Sequence, residues 1–519
     1  MTTDIAVHRS IAHGEQLARQ ARRSPDQTAL SFEGVDLTYG ELDSRVNRLA
    51  RTFRRHGVGP GDRVAVLMYN RLEVIESFFA AVRLGAIAVP INFRLVAAEV
   101  RYILENSGAK VLVADEPMAG VAKDLADLPM AAVLVTGGAA ASVGTHAIDY
   151  EASLDADDSP VEVAVADDAP AFLMYTSGTT GRPKGAVLTH QNLTMNSVNC
   201  VLTQAMETKG EVWYSGLPLF HIGGLNGILM YLTVGGRSII APSGNFDAAA
   251  TIEIFEREKV TSCYFVPTQW KELCAIPGVR DRQLALRRIS WGASVAPPSV
   301  LEAMAETFPE IPTFNMFGQT EMSSVTCVLR GEDAIRKMGS VGRPITNVEA
   351  IIVDADGNEV AVGEVGEIVY RGPTVMKEYW NNPEATAEAF AGGWFHSGDL
   401  CVMDDEGFIR VVDRAKDMII SGGENIYCAE VEAVIDQHPK VAEVALVGAP
   451  HPRWVETPIA VVVPTDPADP PTEDEIVGFC REHLASYKKP TGVVVVDELP
   501  RTATGKIQKF ILRDTVAAN

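Results

Sequence analysis

The sequence predicts an α/β protein of at least two domains, a large N-terminal one and a small C-terminal one. Three observations predict it. The chain has 519 residues, more than one hydrophobic core usually serves. Short apolar runs alternate with amphipathic ones through the first half, the pattern of parallel strands covered by helices. From about Asp417 onward a separate set of strands and helices fills roughly 100 residues, an ordinary domain size.

The elements follow in order. Thr28 to Phe32 reads as a strand, and Thr38-Tyr-Gly-Glu is a T-x-x-E capping box that opens a helix. Asp62 to Met68 reads as a buried strand and Arg71 to Leu84 as an amphipathic helix, with further short strands at Ile87 to Ile91 and Lys110 to Val113. The Ala-, Asp- and Ser-rich stretch from Ala139 to Asp168 reads as a surface connection. Strand signals at Ala350 to Val353, Glu367 to Tyr370 and Phe408 to Val412, separated by Gly-rich turns, predict a β-rich subdomain. In the C-terminal part, strands at Glu443 to Val447, Ile459 to Val463 and Gly492 to Val496 flank helices at Ala429 to Gln437 and Glu473 to Leu484. The expected domains are 1–415 and 417–519.

Composition narrows the function. Hydrophobic residues make up 47% and charged residues 22%, ordinary for a soluble enzyme. The net charge of −23 argues against nucleic acid as a partner. It leaves room for a nucleotide substrate, because backbone N–H groups and a few local cations can hold phosphates inside an acidic protein. No apolar run approaches the roughly 20 residues of a membrane span. The N-terminus carries Asp4, His8 and Arg9 rather than an export signal. The seven cysteines are scattered and form no C-x-x-C pair, which points to free core thiols in a reducing, cytoplasmic setting. Nothing fixes the oligomeric state, and a homodimer is compatible with these features.

The sharpest segment is Tyr175-Thr-Ser-Gly-Thr-Thr-Gly-Arg-Pro-Lys-Gly185, which follows the apolar strand Ala171 to Met174. Its glycines allow close backbone approach to phosphate, and its hydroxyls and Lys184 can bind phosphate oxygens. It is not a Walker A loop, since Pro183 stands where that pattern needs glycine. Ser294, in Trp291-Gly-Ala-Ser-Val295, lacks the G-x-S-x-G context of a hydrolase nucleophile.

YTSGTTGRPKG resembles the phosphate-binding loop of the adenylate-forming superfamily, which includes acyl-CoA synthetases, peptide-synthetase adenylation domains and firefly-type luciferases. Further motifs follow in that family's order over nearly the whole chain. By this resemblance Thr176, Ser177, Gly178, Thr179, Thr180 and Lys184 bind ATP phosphates. Asn315-Met-Phe-Gly-Gln-Thr-Glu321 resembles the family's aromatic-Gly-x-Thr-Glu segment: Phe317 and Gly318 would lie against adenine, Thr320 on the α-phosphate and Glu321 on Mg2+. Phe317 replaces the commoner Tyr, keeping the stacking surface and losing a hydroxyl. Trp394-Phe-His-Ser-Gly-Asp399 resembles the ribose-binding segment, with Asp399 and Arg414 on the sugar hydroxyls. Within Asp413 to Asn425, Lys416 matches the inter-domain hinge, and Gly422 and Gly423 match the wall of the pantetheine tunnel. Pro500-Arg-Thr-Ala-Thr-Gly-Lys506 resembles the loop of the catalytic lysine, Lys506. His221, Ile222, Val266, Gly292 and Ala293 match acyl-pocket and adenine-side positions, with a satisfied core histidine as the plain alternative for His221.

Two departures stand out. His451-Pro-Arg-Trp-Val-Glu456 replaces an Asp followed by Gly-Glu, which puts the usual role of Glu456 in question. Cys428 stands where Pro is common.

The resemblance implies two doubly covered sheets plus the β-rich subdomain and a mobile C-terminal domain. It also implies an AMP-forming acid–CoA ligase using ATP, Mg2+ and CoA. The apolar stretches PLFHIGGLNGILM and FVPTQW favour a fatty acid, and the same wall suits an aryl or alicyclic acid. A carrier-protein pantetheine as acceptor, a luciferase-like oxygenation and a non-catalytic nucleotide binder are the rival expectations. The absence of an S-K-L ending lends the luciferase reading no support.

Overall fold

The computed structural model describes residues 9–145, 147–176, 183–244, 246–292, 296–421, 424–501 and 507–518. The chain divides into two compact units. One runs to Glu349 and includes Tyr370–Phe395; the other comprises Ala350–Val369 and the chain from His396 onward.

Two large sheets build the first unit. The nine-stranded sheet has the order Arg343–Pro344, Ser324–Arg330, Thr313–Gln319, Arg288–Gly292, Ser262–Phe265, Val212–Ser215, Arg237–Ile240, Thr28–Phe32, Val35–Thr38. Its central strands run parallel, with antiparallel pairs at the edges. The eight-stranded sheet has the order Glu378–Tyr379, Lys184–Thr189, Pro170–Thr176, Ile87–Pro90, Arg63–Leu67, Val111–Ala114, Ala132–Val135, Ala147–Asp149. Strands buried on both faces need continuous apolar runs, and Arg63–Leu67 and Val111–Ala114 have them, within a core that includes Leu67, Val89, Leu112 and Leu173. Thr38 caps its helix as the motif requires: Thr38 Oγ1 accepts from Glu41 N at 3.1 Å and Glu41 Oε2 from Thr38 N at 2.8 Å. The stretch expected as a surface connection contains two one-turn helices, Ala140–Val143 and Tyr150–Ser153, and the edge strand Ala147–Asp149.

The strands Glu349–Val353, Val365–Arg371, Phe395–Met403 and Ile409–Arg414, most of whose residues belong to the second unit, line up side by side as the predicted β-rich part. A five-stranded sheet follows, centred on the long hairpin Val441–His451 and Val455–Pro464, with Gly492–Val495 added in parallel. Helices Cys428–Ile435 and Glu473–His483 cover it through Val431, Ile435, Ile476 and Cys480. Lys416 lies inside this unit. All seven cysteines are free and six of them are buried.

Two histidines are sealed in the first unit. His190 Nδ1 accepts from His13 N at 3.2 Å, and the two rings lie 5.3 Å apart. Neither Nε2 has a partner among the described residues. Burial pushes His13 down to about 4 and His190 well below its usual value. The unfolded chain therefore binds more protons than the native one between about pH 6.5 and 4, so the stability from these neutral rings is present above about 6.5 and lost as pH falls. His190→Asn is expected to flatten the fall in melting temperature from pH 7 to 4.5 relative to wild type. Parallel curves would show that the pair carries none of the acid sensitivity.

Candidate active site

The strand Pro170–Thr176 enters the Ser/Thr/Gly loop and the chain returns as Lys184–Thr189, pairing Thr176 with Lys184 and Tyr175 with Gly185. This places Thr176 and Lys184 side by side at the mouth of the loop. Ser177, Gly178, Thr179 and Thr180 lie outside the described residues, as do Ala293, Gly422, Gly423 and Lys506.

Glu321 meets this hairpin. Thr176 Oγ1 donates to Glu321 Oε1 at 3.2 Å, and the hydroxyl of Tyr379 donates to the same oxygen at 3.1 Å. Oε2 receives no hydrogen bond from the described residues. The carboxylate is thus fixed through one oxygen and presents the other. That arrangement suits Mg2+, which takes one or two protein carboxylates and completes its shell with phosphate oxygens and water.

The sequence reading missed Tyr379. It belongs to the strand Glu378–Tyr379, which adds to the sheet edge by pairing with Val187 and Ala186. The strap is fastened at Met376 N to Glu321 O (2.7 Å), Lys377 N to Val187 O (2.9 Å) and Trp380 N to Gly185 O (2.7 Å). Lys184 Nζ lies 5.3 Å from the centre of the Tyr379 ring, in cation–π range. Burial, reinforced by the Glu321 carboxylate, keeps the Tyr379 phenol protonated and able to donate.

Behind Glu321 the backbone turns sharply. Thr320–Met322 form a single 3-10 turn, after which Ser323 and Ser324 adopt φ +60° and +113°. Left-handed conformations at non-glycine residues cost about 1–3 kcal/mol each and persist only where surroundings hold them. The holder is Asn196, fully buried on helix His190–Thr203. Its Nδ2 donates to Met322 O (3.2 Å) and Val325 O (2.8 Å), and its Oδ1 accepts from Val325 N (3.4 Å). Gly318 fits the same turn, because a Cβ there would collide with the Ser324 carbonyl. Phe317, half-buried on Thr313–Gln319, precedes it.

The expected pocket residues sit at carboxyl ends of the nine-stranded sheet, where open α/β sheets bind ligands. Val266 follows strand Ser262–Phe265, and Gly292 ends the neighbouring strand, with Phe265 paired to Trp291. His221 caps helix Ile222–Val234, its Nδ1 accepting from Gly223 N at 3.1 Å, and Ile222 is buried at the first position. The imidazole is therefore tied to a helix end.

In the second unit Arg414 Nε lies 2.6 Å from Asp399 Oδ1, bringing together the two residues matched to ribose binding. Asp399 is buried and Arg414 remains partly open. Beside them, buried Asp413 accepts from the backbone N–H of Arg414 (2.7 Å) and of Cys428. The Cys428 Sγ donates to Asp417 O at 2.9 Å, and burial pushes its thiol up, so it is not a reactive thiolate. Arg513, on the last helix, binds Lys416 O (3.0 Å) and Asp417 Oδ1 (2.8 Å). At the other departure, Val455 is 71% exposed at φ +71°, a β-branched residue in glycine's conformation. Glu456 accepts from Ile420 N at 3.1 Å.

Residues 17–380 match the AMP-binding enzyme family and residues 430–506 its C-terminal domain. The chain is 41% identical to a feruloyl-CoA synthase of an Amycolatopsis species, covering 96% of this chain and 98% of that one. It is 36% identical to a long-chain-fatty-acid–CoA ligase of Mycobacterium tuberculosis, covering 97% and 98%. Among solved structures, the o-succinylbenzoate CoA synthetase of Bacillus subtilis, in complex with its acyl-adenylate intermediate, superposes with a TM-score of 0.85 at 34% identity, covering 96% and 97%.

A hydrogen bond to a charged group is worth about 1.5–3 kcal/mol. Tyr379→Phe is accordingly expected to raise the Mg2+ concentration for half-maximal pyrophosphate release by about 10-fold, with a smaller change in kcat at saturating Mg2+. Glu321→Gln should raise it further. An unchanged Mg2+ dependence in both variants would remove Glu321 from the metal.

Proposed function

On the premise that the chain belongs to the AMP-binding enzyme family and is an AMP-forming acid–CoA ligase using ATP, Mg2+ and CoA, we propose that its acid is an aryl acid of the phenylpropenoate kind. The relatives carry this reading: a feruloyl-CoA synthase matches at 41% and the fatty-acid ligase at 36% over similar lengths. Feruloyl and succinylbenzoyl groups share a benzene ring. The apolar composition of the pocket stretches and the mycobacterial relative together support a fatty acid as the second reading.

In the first half-reaction a carboxylate oxygen of the acid attacks the α-phosphorus of ATP. The bond from that phosphorus to the bridging oxygen breaks, pyrophosphate leaves, and acyl-AMP remains. Thr176 and Lys184, at the loop mouth, bind and orient the phosphates. Mg2+ held by Glu321 would neutralise phosphate charge as pyrophosphate departs. Thr320 donates to the α-phosphate, and the Lys506 ammonium bridges the acid carboxylate and α-phosphate where negative charge accumulates. Asp399 and Arg414 hold the ribose.

In the second half-reaction the CoA thiolate attacks the acyl carbon, the carbon–oxygen bond to AMP breaks, and AMP leaves. Lys416 is the hinge by which the C-terminal part moves between the two steps, and Gly422 and Gly423 leave room for pantetheine. Such motion also keeps water from the mixed anhydride.

Pyrophosphate release, measured over a panel of acids with and without CoA, tests the substrate. Ferulate or 4-hydroxycinnamate is expected to exceed decanoate in kcat/KM by on the order of 10-fold or more; the reverse order would return the fatty acid to first place. A second test separates the half-reactions. Lys506→Ala should abolish acyl-AMP formation while still thioesterifying synthetic acyl-AMP, and equal loss of both would contradict its assignment.

A further inference from the structure

Tyr264 lies on strand Ser262–Phe265, in register with Ser215 on one side and Ser290 on the other. Register partners in a parallel sheet share a face, so its ring rises between two serines. Gly292 continues that face two residues beyond Ser290, at the carboxyl end of its strand. A Cβ built on Gly292 would strike the Tyr264 hydroxyl and approach its Cζ at 3.2 Å. The phenol therefore leans along the sheet toward the carboxyl edge and fills the volume that the glycine leaves.

The hydroxyl is unusual among its neighbours. Tyr231 pairs with Ser262, Tyr39 donates to Gly236 O at 2.6 Å, and Tyr214 bonds Thr251. Tyr264 has no hydrogen-bond partner among the described residues and keeps some exposure. Burial raises its pKa, so it remains a neutral hydroxyl, able both to donate and to accept. A hydroxyl without a protein partner is open to pair with a ligand, and such a pairing is worth most where the ligand excludes water from it.

We infer that the Tyr264 hydroxyl is a specificity determinant of the acyl site, closing it to long alkyl chains and pairing with a hydrogen-bonding substituent on the ring of the acid. This rests on the aryl-acid reading above and deepens it. Val266 and Gly292 belong to the acyl side, and the phenol lies directly against Gly292. A ring carrying a hydroxyl or methoxyl gains a partner there, whereas an extended alkyl tail meets an aromatic obstruction with an unsatisfied hydroxyl.

The test compares wild type, Tyr264→Phe and Tyr264→Ala on cinnamate, 3-hydroxycinnamate, 4-hydroxycinnamate and decanoate, with melting temperatures recorded for each. Tyr264→Phe should lower kcat/KM for a hydroxylated cinnamate by on the order of 10-fold, mainly through KM, and leave cinnamate unchanged. Tyr264→Ala should gain activity on decanoate relative to wild type. If wild type takes aryl acids but Tyr264→Phe keeps the same hydroxyl preference, or loses all substrates together, this inference falls while the aryl reading stands. If wild type prefers decanoate to every aryl acid, the aryl reading falls and takes the inference with it.

Discussion

A single carboxylate oxygen, Glu321 Oε1, ties together three segments distant in sequence: the end of strand Pro170–Thr176, the turn after Thr313–Gln319 and the strap Glu378–Tyr379. Both its donors are neutral hydroxyls, so they orient the carboxylate without cancelling its charge. The turn that carries Glu321 is itself strained at Ser323 and Ser324, and buried Asn196 satisfies the backbone on either side of it. Removing the amide would leave buried carbonyls unpaired, at about 1–3 kcal/mol apiece. The Asn196 clamp, the strained turn and the oriented carboxylate thus depend on one another.

The same economy of fixed polar groups recurs in the second unit. Asp399 is buried beneath Arg414, and Asp413 beneath the backbone of Arg414 and Cys428. Burial raises the Asp413 pKa, with the nearby N–H groups opposing it. Arg513 fastens the last helix to the segment containing Lys416. It does so through the backbone carbonyl of Lys416 and the carboxylate of Asp417, while the Lys416 side chain is exposed.

Much of this fold was legible in the sequence because its signals are local. Thr28–Phe32 matches the strand read from its residues, the Thr38 box caps its helix as written, and Cys428–Ile435 and Glu473–His483 follow their apolar periodicity. The helix Lys509–Ala518, anchored by Lys509 to Glu432 at 2.7 Å, gave no comparable signal beside the glycine-containing PRTATGK loop. Thr176, Lys184 and Glu321 were readable because motif and chemistry coincide. Tyr379 and Asn196 were not: one acts from a two-residue strand 58 positions from its partner, the other from the buried face of a polar helix. Tyr264 was equally hidden, since its meaning depends on a glycine in the adjacent strand. Long-range pairing, not residue type, gives these three their roles.

The most direct measurement of the central claim, that Glu321 is held through one shared oxygen and leaves the other for a metal, is a double-mutant cycle on metal affinity. Mn2+ binding by electron paramagnetic resonance, in the presence of the inert α,β-methylene analogue of ATP, would be compared for wild type, Thr176→Val, Tyr379→Phe and the double variant. Two donors on one oxygen are coupled, and contacting residues typically show interaction energies of about 0.5–3 kcal/mol. The account predicts that the double variant departs from the product of the single losses by about 3-fold or more. Strictly multiplicative losses, or no loss in either single variant, would contradict it.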